Sequence, residues 1–275
     1  MKIALPGYHA RPEELAALRF ILLGRVSGAR CLLLEGAPGV GKTFLGEVLA
    51  KGQEWPLVFY QCHSWSSDQE LFRSIDVAAA VAGDAAGVIT DGALTAAAKH
   101  SLHGKVVLIV DELDKAPERV DALLLDFLQS GRVPLPRGLF FQGNQDHLVV
   151  LVTSNKVREL HPALVRRCRR LVMKQLPGEV LDGLIEDKAN VGRSLARQIR
   201  RLCQMAAAED KQESSLQEMV NLAEELKFAE SVADVALAAD GWAARGQNGR
   251  VWLDSKAAKE ILGEIWRLVE SCREE

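Results

Sequence analysis

The chain has 275 residues, of which 48% are hydrophobic and 26% charged, and its formal net charge is −3. This composition is typical of a globular protein with one large domain or two moderate ones, and it excludes a disordered chain and a global positive field for nucleic acid. No apolar run approaches the ~18 residues of a membrane span, the N-terminal apolar stretch is too short for a signal peptide, and five scattered cysteines form no CxxC pair. We therefore expect a cytoplasmic protein with no membrane contact, disulfide framework or zinc site.

Five short runs rich in Val, Leu and Ile alternate with helical patterns in the first two thirds of the chain. The runs are CLLLEG (31–36), PLVFYQC (56–62), KVVLIVDE (105–112), HLVVLVTSN (147–155) and RRLVMK (169–174). Strands that are covered on both faces of a parallel sheet have this nearly continuous apolar character. Helical patterns at 43–51 and 119–129 lie between them, so the alternation predicts a doubly wound α/β sheet.

The remainder of the chain has a different, helical character. Helical patterns cover 179–187, 194–209, 215–227, 231–245 and 254–272, and VWL (251–253) is the one run that resembles a strand. The last helix is expected to begin at a capping Asp254 or Ser255. We predict a boundary near Pro177, with an α/β domain over 1–177 and an all-α lid domain over 178–275.

The last predicted helix carries an apolar stripe at helical spacing. Its members are Ile261, Leu262, Ile265, Trp266 and Val269. The simplest interpretation is a seam that packs this helix onto the lid, and partner docking is the alternative.

The first functional motif is GAPGVGKT (36–43), which fits G-x-x-x-x-G-K-[ST] between an apolar strand and an amphipathic helix. Glycines let consecutive backbone N–H groups point at phosphates, and the helix start adds its positive dipole end. Lys42 is expected to reach the β- and γ-phosphates and Thr43 to bind magnesium. The predicted binding residues are Gly36, Ala37, Pro38, Gly39, Val40, Gly41, Lys42, Thr43 and Phe44.

A second motif, VVLIVDELDKA (106–116), is an apolar strand that ends in two acids. Asp111 suits the magnesium shell, and Glu112 suits a base that orients and deprotonates water. An acid pair of this kind favours hydrolysis of a nucleoside triphosphate. Asn155, at the end of another strand, is expected to hold the attacking water or touch the γ-phosphate.

Polar residues after the second strand leave alternatives open. Gln61 or His63 could restrain Glu112, although a plain strand end is the preferred interpretation. Trp65 could face a nucleobase or substrate, and local packing is preferred for it.

Four stretches taken together resemble the AAA+ ATPases: GAPGVGKT, VVLIVDELDKA, LVVLVTSN and PALVRRC. Three further stretches resemble the MoxR and dynein-related branch of that family, which includes CbbQ and cobaltochelatase-type members. Those stretches are SSDQEL (66–71), 91–116 and 131–155. The resemblance implies a five-stranded P-loop sheet of order 5-1-4-3-2 followed by a helical lid. It also implies a nucleotide-dependent hexameric ring that binds ATP and Mg²⁺ between subunits and remodels a protein client, such as a von Willebrand factor A-domain protein.

In this family PALVRRC carries arginines that reach the neighbouring subunit's γ-phosphate. Arg167, before the Cys168 that replaces the usual aromatic residue, is the first choice for this finger and Arg166 the second. The lid arginine that senses the γ-phosphate is missing, because Gln217 stands at its position. Arg197 or Arg200 on the preceding helix is the candidate substitute.

Charge is unevenly distributed outside these motifs. Residues 156–174 hold seven Lys or Arg and one Glu, whereas 205–240 hold nine acids and two Lys. The preferred interpretation is that one subunit's basic face meets its neighbour's acidic lid, with Arg169 and Arg170 forming either a solvated edge or part of that face. The alternative is a nucleic-acid motor or loader, for which this basic segment and a hairpin near Arg132 and Arg137 are the support.

Overall fold

The computed structural model describes residues 3–24, 28–75, 81, 83 and 89–274. The chain forms two compact units. The α/β unit contains Met1–Gly36 and Gly41–Met173, and the helical unit contains Ala37–Val40 and Lys174–Glu275. The predicted domain boundary near Pro177 stays a prediction.

The strands of the described residues all belong to the α/β unit. They are β1 Arg30–Glu35, β2 Leu57–Gln61, β3 Arg73–Ile75, β4 Ile89–Asp91, β5 Val106–Asp111, β6 Arg132–Pro134, β7 Phe140–Gln142, β8 Leu148–Ser154 and β9 Arg169–Val172. Five of them form a parallel sheet in the order β2-β5-β8-β1-β9. Numbered along the chain, these five strands have the order 2-3-4-1-5, which confirms the predicted 5-1-4-3-2 arrangement read from the other edge.

Burial explains why the central strands read as continuous apolar runs. Every residue of β5 and β8 is buried, whereas the edge strand β2 has no buried residue. Because the pairs are parallel, the carboxyl ends of β1, β5 and β8 meet at one edge of the sheet. The polar residues that follow these strands are therefore brought together. Two antiparallel pairs, β3 with β4 and β6 with β7, lie outside this sheet.

Six α-helices of the α/β unit lie among its described residues. They are α1 Pro12–Leu23, α2 Lys42–Gln53, α3 Asp68–Phe72, α4 Ala93–Ser101, α5 Glu118–Ser130 and α6 Pro162–Arg167. The predicted patterns at 43–51 and 119–129 correspond to α2 and α5.

The helical unit is built from helices throughout its described residues. They are α7 Gly178–Ala189, α8 Arg193–Glu209, α9 Leu216–Leu226, α10 Val232–Trp242, α11 Gln247–Leu253 and α12 Lys256–Glu274. Within the described part of the chain, no helix is both long and apolar enough to cross a bilayer.

The interpretation of VWL (251–253) as a strand is wrong, because these residues end α11. The Asp210 carboxylate accepts hydrogen bonds from the backbone N–H groups of Gly246 (2.6 Å), Asn248 (3.1 Å) and Gly249 (3.2 Å). A carboxylate stabilises the start of a helix in this position because it binds N–H groups that have no partner in the helix. This tertiary contact outweighs the local preference of a three-residue apolar run.

The apolar stripe of the last helix packs as predicted. Ile261, Leu262, Ile265 and Val269 are buried in the core of the helical unit, and Trp266 packs partly against it. The helix begins at Lys256, and the hydroxyl of Ser255 accepts a hydrogen bond from the Ala258 N–H at 3.1 Å. Ser255, one of the two predicted capping residues, therefore caps α12.

Two leucines of the helical unit test this packing. Leu262 is 3% exposed and Leu237, on α10, is 72% exposed. We expect Leu262→Ala to lower the free energy of unfolding by about 2–5 kcal/mol because it leaves a cavity. The matched Leu237→Ala change is expected to stay within about 0.5 kcal/mol. Urea unfolding followed by circular dichroism measures both, and equal losses would contradict the assignment of α12 to the core.

Candidate active site

The loop GAPGVGKT joins the end of β1 to the start of α2. Gly39 (φ 80°) and Gly41 (φ 93°) adopt left-handed backbone conformations that side-chain-bearing residues rarely adopt. The helix begins directly afterwards at Lys42. The predicted binding residues thus occupy a curled loop and the first turn of α2, and the ring of Phe44 lies 5.8 Å from that of Tyr8. This is the arrangement that presents backbone N–H groups to an anion.

Lys42 is a buried cation near three carboxylates. Its Nζ donates a hydrogen bond to the Gly36 carbonyl oxygen at 2.8 Å. Burial lowers the pKa of Lys42, and the negative charges of Asp111, Asp114 and Glu112 oppose that shift. The sequence motif predicted the lysine, and the fold places it with the acids that follow β5.

The second motif places a hydroxyl and a carboxylate side by side. The hydroxyl of Thr43 donates to Asp111 Oδ1 at 2.6 Å, and the hydroxyl of Thr153 donates to the same oxygen at 2.8 Å. Magnesium prefers hard oxygen ligands and is often held by one or two carboxylates together with substrate phosphates. No cluster of three or more His, Cys, Asp or Glu that could bind metal alone occurs among the described residues. The donor set therefore fits Mg²⁺ that is shared with a phosphate.

Glu112 lies directly after Asp111, in a left-handed conformation (φ 52°, ψ 47°). Its carboxylate accepts hydrogen bonds from Gln61 Nε2 (2.7 Å) and Lys115 Nζ (2.6 Å). A third bond comes from Asn155 Nδ2 (2.8 Å). The contact with Gln61 is the alternative that sequence reasoning placed second, and Lys115 was not foreseen, although its position three residues after Glu112 is a usable signal.

Asn155 connects the acid pair to the end of β8. Its backbone N–H donates to Asp114 Oδ2 at 3.0 Å, while its side-chain amide donates to Glu112. The side-chain Oδ1 is buried and has no hydrogen-bond partner among the described residues. A buried acceptor without a partner is costly in a folded protein, so this oxygen is an unused acceptor beside the acid pair.

His63 does not contact Glu112 in this structure, because its ring is used within the turn after β2. Its Nδ1 accepts a hydrogen bond from the Trp65 N–H (3.2 Å), and the Ser66 N–H donates to the His63 carbonyl (2.9 Å). The turn directs Trp65 outward, where it is 83% exposed. The prediction of local packing for Trp65 is therefore wrong.

Arg166 and Arg167 end the short helix α6. Arg166 is exposed and lines a groove of about 620 Å³ together with Lys156 and Arg170. Arg167 is half-buried, and its Nε is buried without a hydrogen-bond partner among the described residues. A Cβ atom placed on Gly28 would lie 2.9 Å from Arg167 Nη2, so a side chain at residue 28 would crowd the guanidinium.

The two following arginines differ from each other. Arg170 forms an ion pair with Glu35 at 2.8 Å, and Lys156 lies 3.9 Å from the same carboxylate. Arg169 is exposed. Part of the basic segment is thus neutralised within the unit.

Cys168, between the arginines and β9, contacts Cys31 of β1 with an Sγ–Sγ distance of 2.7 Å. Both thiols are buried, and burial raises the pKa of Cys31 well above its usual value. The pair fixes the C-terminal end of α6 against the central sheet. Sequence reasoning missed this contact because the two cysteines are 137 residues apart.

The sensor candidates lie in the helical unit. Gln217 is the second residue of α9, and its side chain is exposed and donates to Asn221 Oδ1 at 2.8 Å. Arg200 pairs with the buried Asp182 at 2.6 Å, and Arg197 lies 3.8 Å from the same carboxylate. Arg200 therefore has a structural partner inside this unit.

Comparison with known protein structures finds proteins with the same fold. The structure is similar to a mutant RuvB of Thermotoga maritima, with 15% identity, a TM-score of 0.54, and coverage of 97% of this chain and 72% of that one. It is also similar to the FIGL-1 AAA domain in complex with ADP, with 18% identity, a TM-score of 0.56, and coverage of 94% and 89% respectively. At these identities the likeness shows the fold alone. No curated protein sequence matches the chain.

A protein-family profile gives the more specific result. The AAA domain of the dynein-related subfamily matches residues 31–168, which is half of the chain and runs from β1 to the end of α6. The chain therefore belongs to the AAA domain family, in its dynein-related subfamily.

Proposed function

We propose that this protein is a magnesium-dependent ATPase of the MoxR branch that works as a ring and remodels a partner protein. The observation that carries the proposal is the position of Glu112. Its carboxylate is held by the amides of Gln61 and Asn155, and the preceding residue pairs with the threonine of the phosphate loop. A base, a magnesium-type donor pair and a phosphate-binding loop thus meet at one sheet edge.

The phosphate loop and Lys42 would bind the triphosphate. The Lys42 ammonium group is held against the loop by its hydrogen bond to the Gly36 carbonyl oxygen. With nucleotide bound, it would turn to the β- and γ-phosphates. Thr43 and Asp111 would hold magnesium, which when bound supplies charge neutralisation on the phosphate oxygens.

Glu112 and Asn155 would prepare the attacking water. Glu112 would accept the proton of that water. Asn155 Oδ1, which has no hydrogen-bond partner among the described residues, would accept a hydrogen bond from the water and so orient it. The bonds from Gln61 and Lys115 hold the Glu112 carboxylate in place until the water is bound.

Arg166 and Arg167 would act on a neighbouring subunit of the ring, which we expect to be hexameric and to form with nucleotide. A guanidinium remains charged and stabilises the negative charge that develops on the phosphoryl oxygens. The basic segment 156–174 and the acidic segment 205–240 provide complementary charge for such an assembly. The client would be a protein, such as one with a von Willebrand factor A domain.

Lys42→Ala tests the binding site. We expect this variant to lose ATP binding because it removes the buried cation of the phosphate loop. Lys51→Ala, an exposed lysine of the same helix, is the matched control and should bind like the wild type. Isothermal titration calorimetry with ATP and Mg²⁺ measures both, and wild-type affinity in Lys42→Ala would refute the site.

Mixing two inactive variants tests the arginines. Glu112→Gln should bind ATP without hydrolysing it, and Arg167→Ala should bind ATP while losing roughly 10³ to 10⁵ in turnover. An interface between an intact Glu112 and an intact Arg167 contains every catalytic group, so the mixture should regain part of the wild-type phosphate release.

Two outcomes of the same experiment would contradict the assignment of Arg167 as the trans-acting arginine. Wild-type turnover in Arg167→Ala alone would move the role to Arg166. A mixture that stays inactive would contradict arginines that act across subunits.

The alternative function, a nucleic-acid motor or loader, is separated from the first by its response to DNA. One of its two supporting hairpin arginines is engaged locally, because the Arg132 guanidinium lies 4.5 Å from the Phe140 ring centroid. We expect DNA to leave ATP turnover essentially unchanged at physiological salt. Turnover measured with single- and double-stranded DNA checks this, and steep stimulation would favour the motor.

A further inference from the structure

Two buried carboxylates that follow β5 hold opposite ends of the segment from Asn155 to His161, which joins β8 to α6. Asp114 accepts hydrogen bonds from the backbone N–H groups of Asn155 (3.0 Å) and Val157 (2.8 Å). Asp121, which is fully buried on α5, accepts the His161 N–H at 2.8 Å. One acid thus fixes the end next to the active-site amide, and the other fixes the end next to the arginine helix.

Arg158 completes the second anchor. Its Nη2 and Nη1 donate to the two carboxylate oxygens of Asp121 at 2.6 and 2.9 Å. Its remaining donors reach the carbonyl oxygens of Leu113 (3.1 Å), Ala116 (2.9 Å) and Glu159 (3.0 Å). A bidentate arginine–carboxylate pair fixes orientation as well as distance. The guanidinium therefore ties the segment to both α5 and the turn after Glu112.

We infer that Asp121 and Arg158 are positioning residues that hold α6 where its arginines reach a neighbouring subunit, whereas Asp114 positions Asn155 within the subunit's own site. This inference rests on the proposed ATPase function. The segment 155–161 would then position two groups: Asn155 in the site of its own subunit, and the arginines of α6 in the site of the neighbouring subunit.

The length of α6 explains why it needs such an anchor. The helix has six residues, and helices this short are not stable in isolation because nucleation is costly. Its C-terminal end is fixed through Cys168 on Cys31, and its N-terminal end through His161 on Asp121. Without the N-terminal anchor, Arg166 and Arg167 lie on a helix that is held by Cys168 and by the buried side chain of Leu164 alone.

Complementation separates these two positioning roles. Asp121→Asn should behave as a defective arginine donor, so activity should return when it is mixed with Glu112→Gln and stay absent with Arg167→Ala. Asp114→Asn should show the reverse pattern, because its arginines are intact and its own site is not. Wild-type turnover in Asp121→Asn, or rescue by Arg167→Ala instead of Glu112→Gln, would overturn the inference.

Two further variants are controls that distinguish a positioning effect from a general loss of folding. Removing one partner of a buried ion pair leaves an uncompensated charge. The double variant Asp121→Asn with Arg158→Gln avoids this and should keep the complementation pattern of Asp121→Asn. Arg193→Gln removes an arginine from an exposed pair with Glu186 and should match the wild type.

Hydrogen exchange tests the contact of Asp121 with His161 and Arg158 independently of ATPase activity. In Asp121→Asn the amides of 161 and 163–165 should exchange about tenfold faster, with β5 and β8 unchanged. Unchanged exchange at 161–165, or faster exchange throughout the chain, would reject the anchor. If the anchor is present but Glu112→Gln and Arg167→Ala fail to rescue each other, the trans-acting arginine of the proposed function is what fails.

Discussion

The hydroxyl group of Thr153 joins the two strand ends on which the site depends. It donates to Asp111 Oδ1 at 2.8 Å and accepts the Glu112 N–H at 2.8 Å. The parallel register of β5 and β8, in which Val110 is opposite Val152, brings the hydroxyl to this position. Thr153 is fully buried, and burying a hydroxyl without partners costs about 1–3 kcal/mol. The core of the sheet and the geometry of the acid pair are therefore specified together.

The side chains of Asp111 and Glu112, residues that both contact Thr153, point in different directions. Successive residues of a strand point to opposite faces, and the left-handed conformation of Glu112 ends the strand at this residue. Asp111 consequently meets Thr43, while Glu112 meets Gln61 and Asn155. An extended Glu112 would continue the alternation of β5. The two neighbouring carboxylates therefore have different partners.

The sequence predicted what depends on local pattern and failed where distant contacts decide. The strands and their order follow from apolar runs and the resemblance, and the phosphate loop follows from its spacing. VWL (251–253) was misread because Asp210, which lies 36 residues before Gly246, starts the helix that contains it. The pairs Arg158–Asp121 and Cys31–Cys168 carry no periodic signal, since their members are 37 and 137 residues apart. The sequence predicts the candidate site residues, and only the fold shows which contacts hold them in place.

The charges of the candidate site bear on why a subunit of the proposed ring would need its neighbour for ATP hydrolysis. Asp111, Glu112 and Asp114 crowd the end of β5. Lys42, Lys115 and Arg158 are cations near them, with Lys115 bound to Glu112 and Arg158 bound to Asp121. A triphosphate adds several negative charges to a region that is already acidic. Bound magnesium would offset part of that charge. The Arg158 guanidinium is occupied by Asp121, so a further guanidinium would be needed for the charge that develops on the phosphoryl oxygens. In the proposed ring, an arginine from another subunit would supply it only on assembly, and hydrolysis and assembly would then be linked by electrostatics.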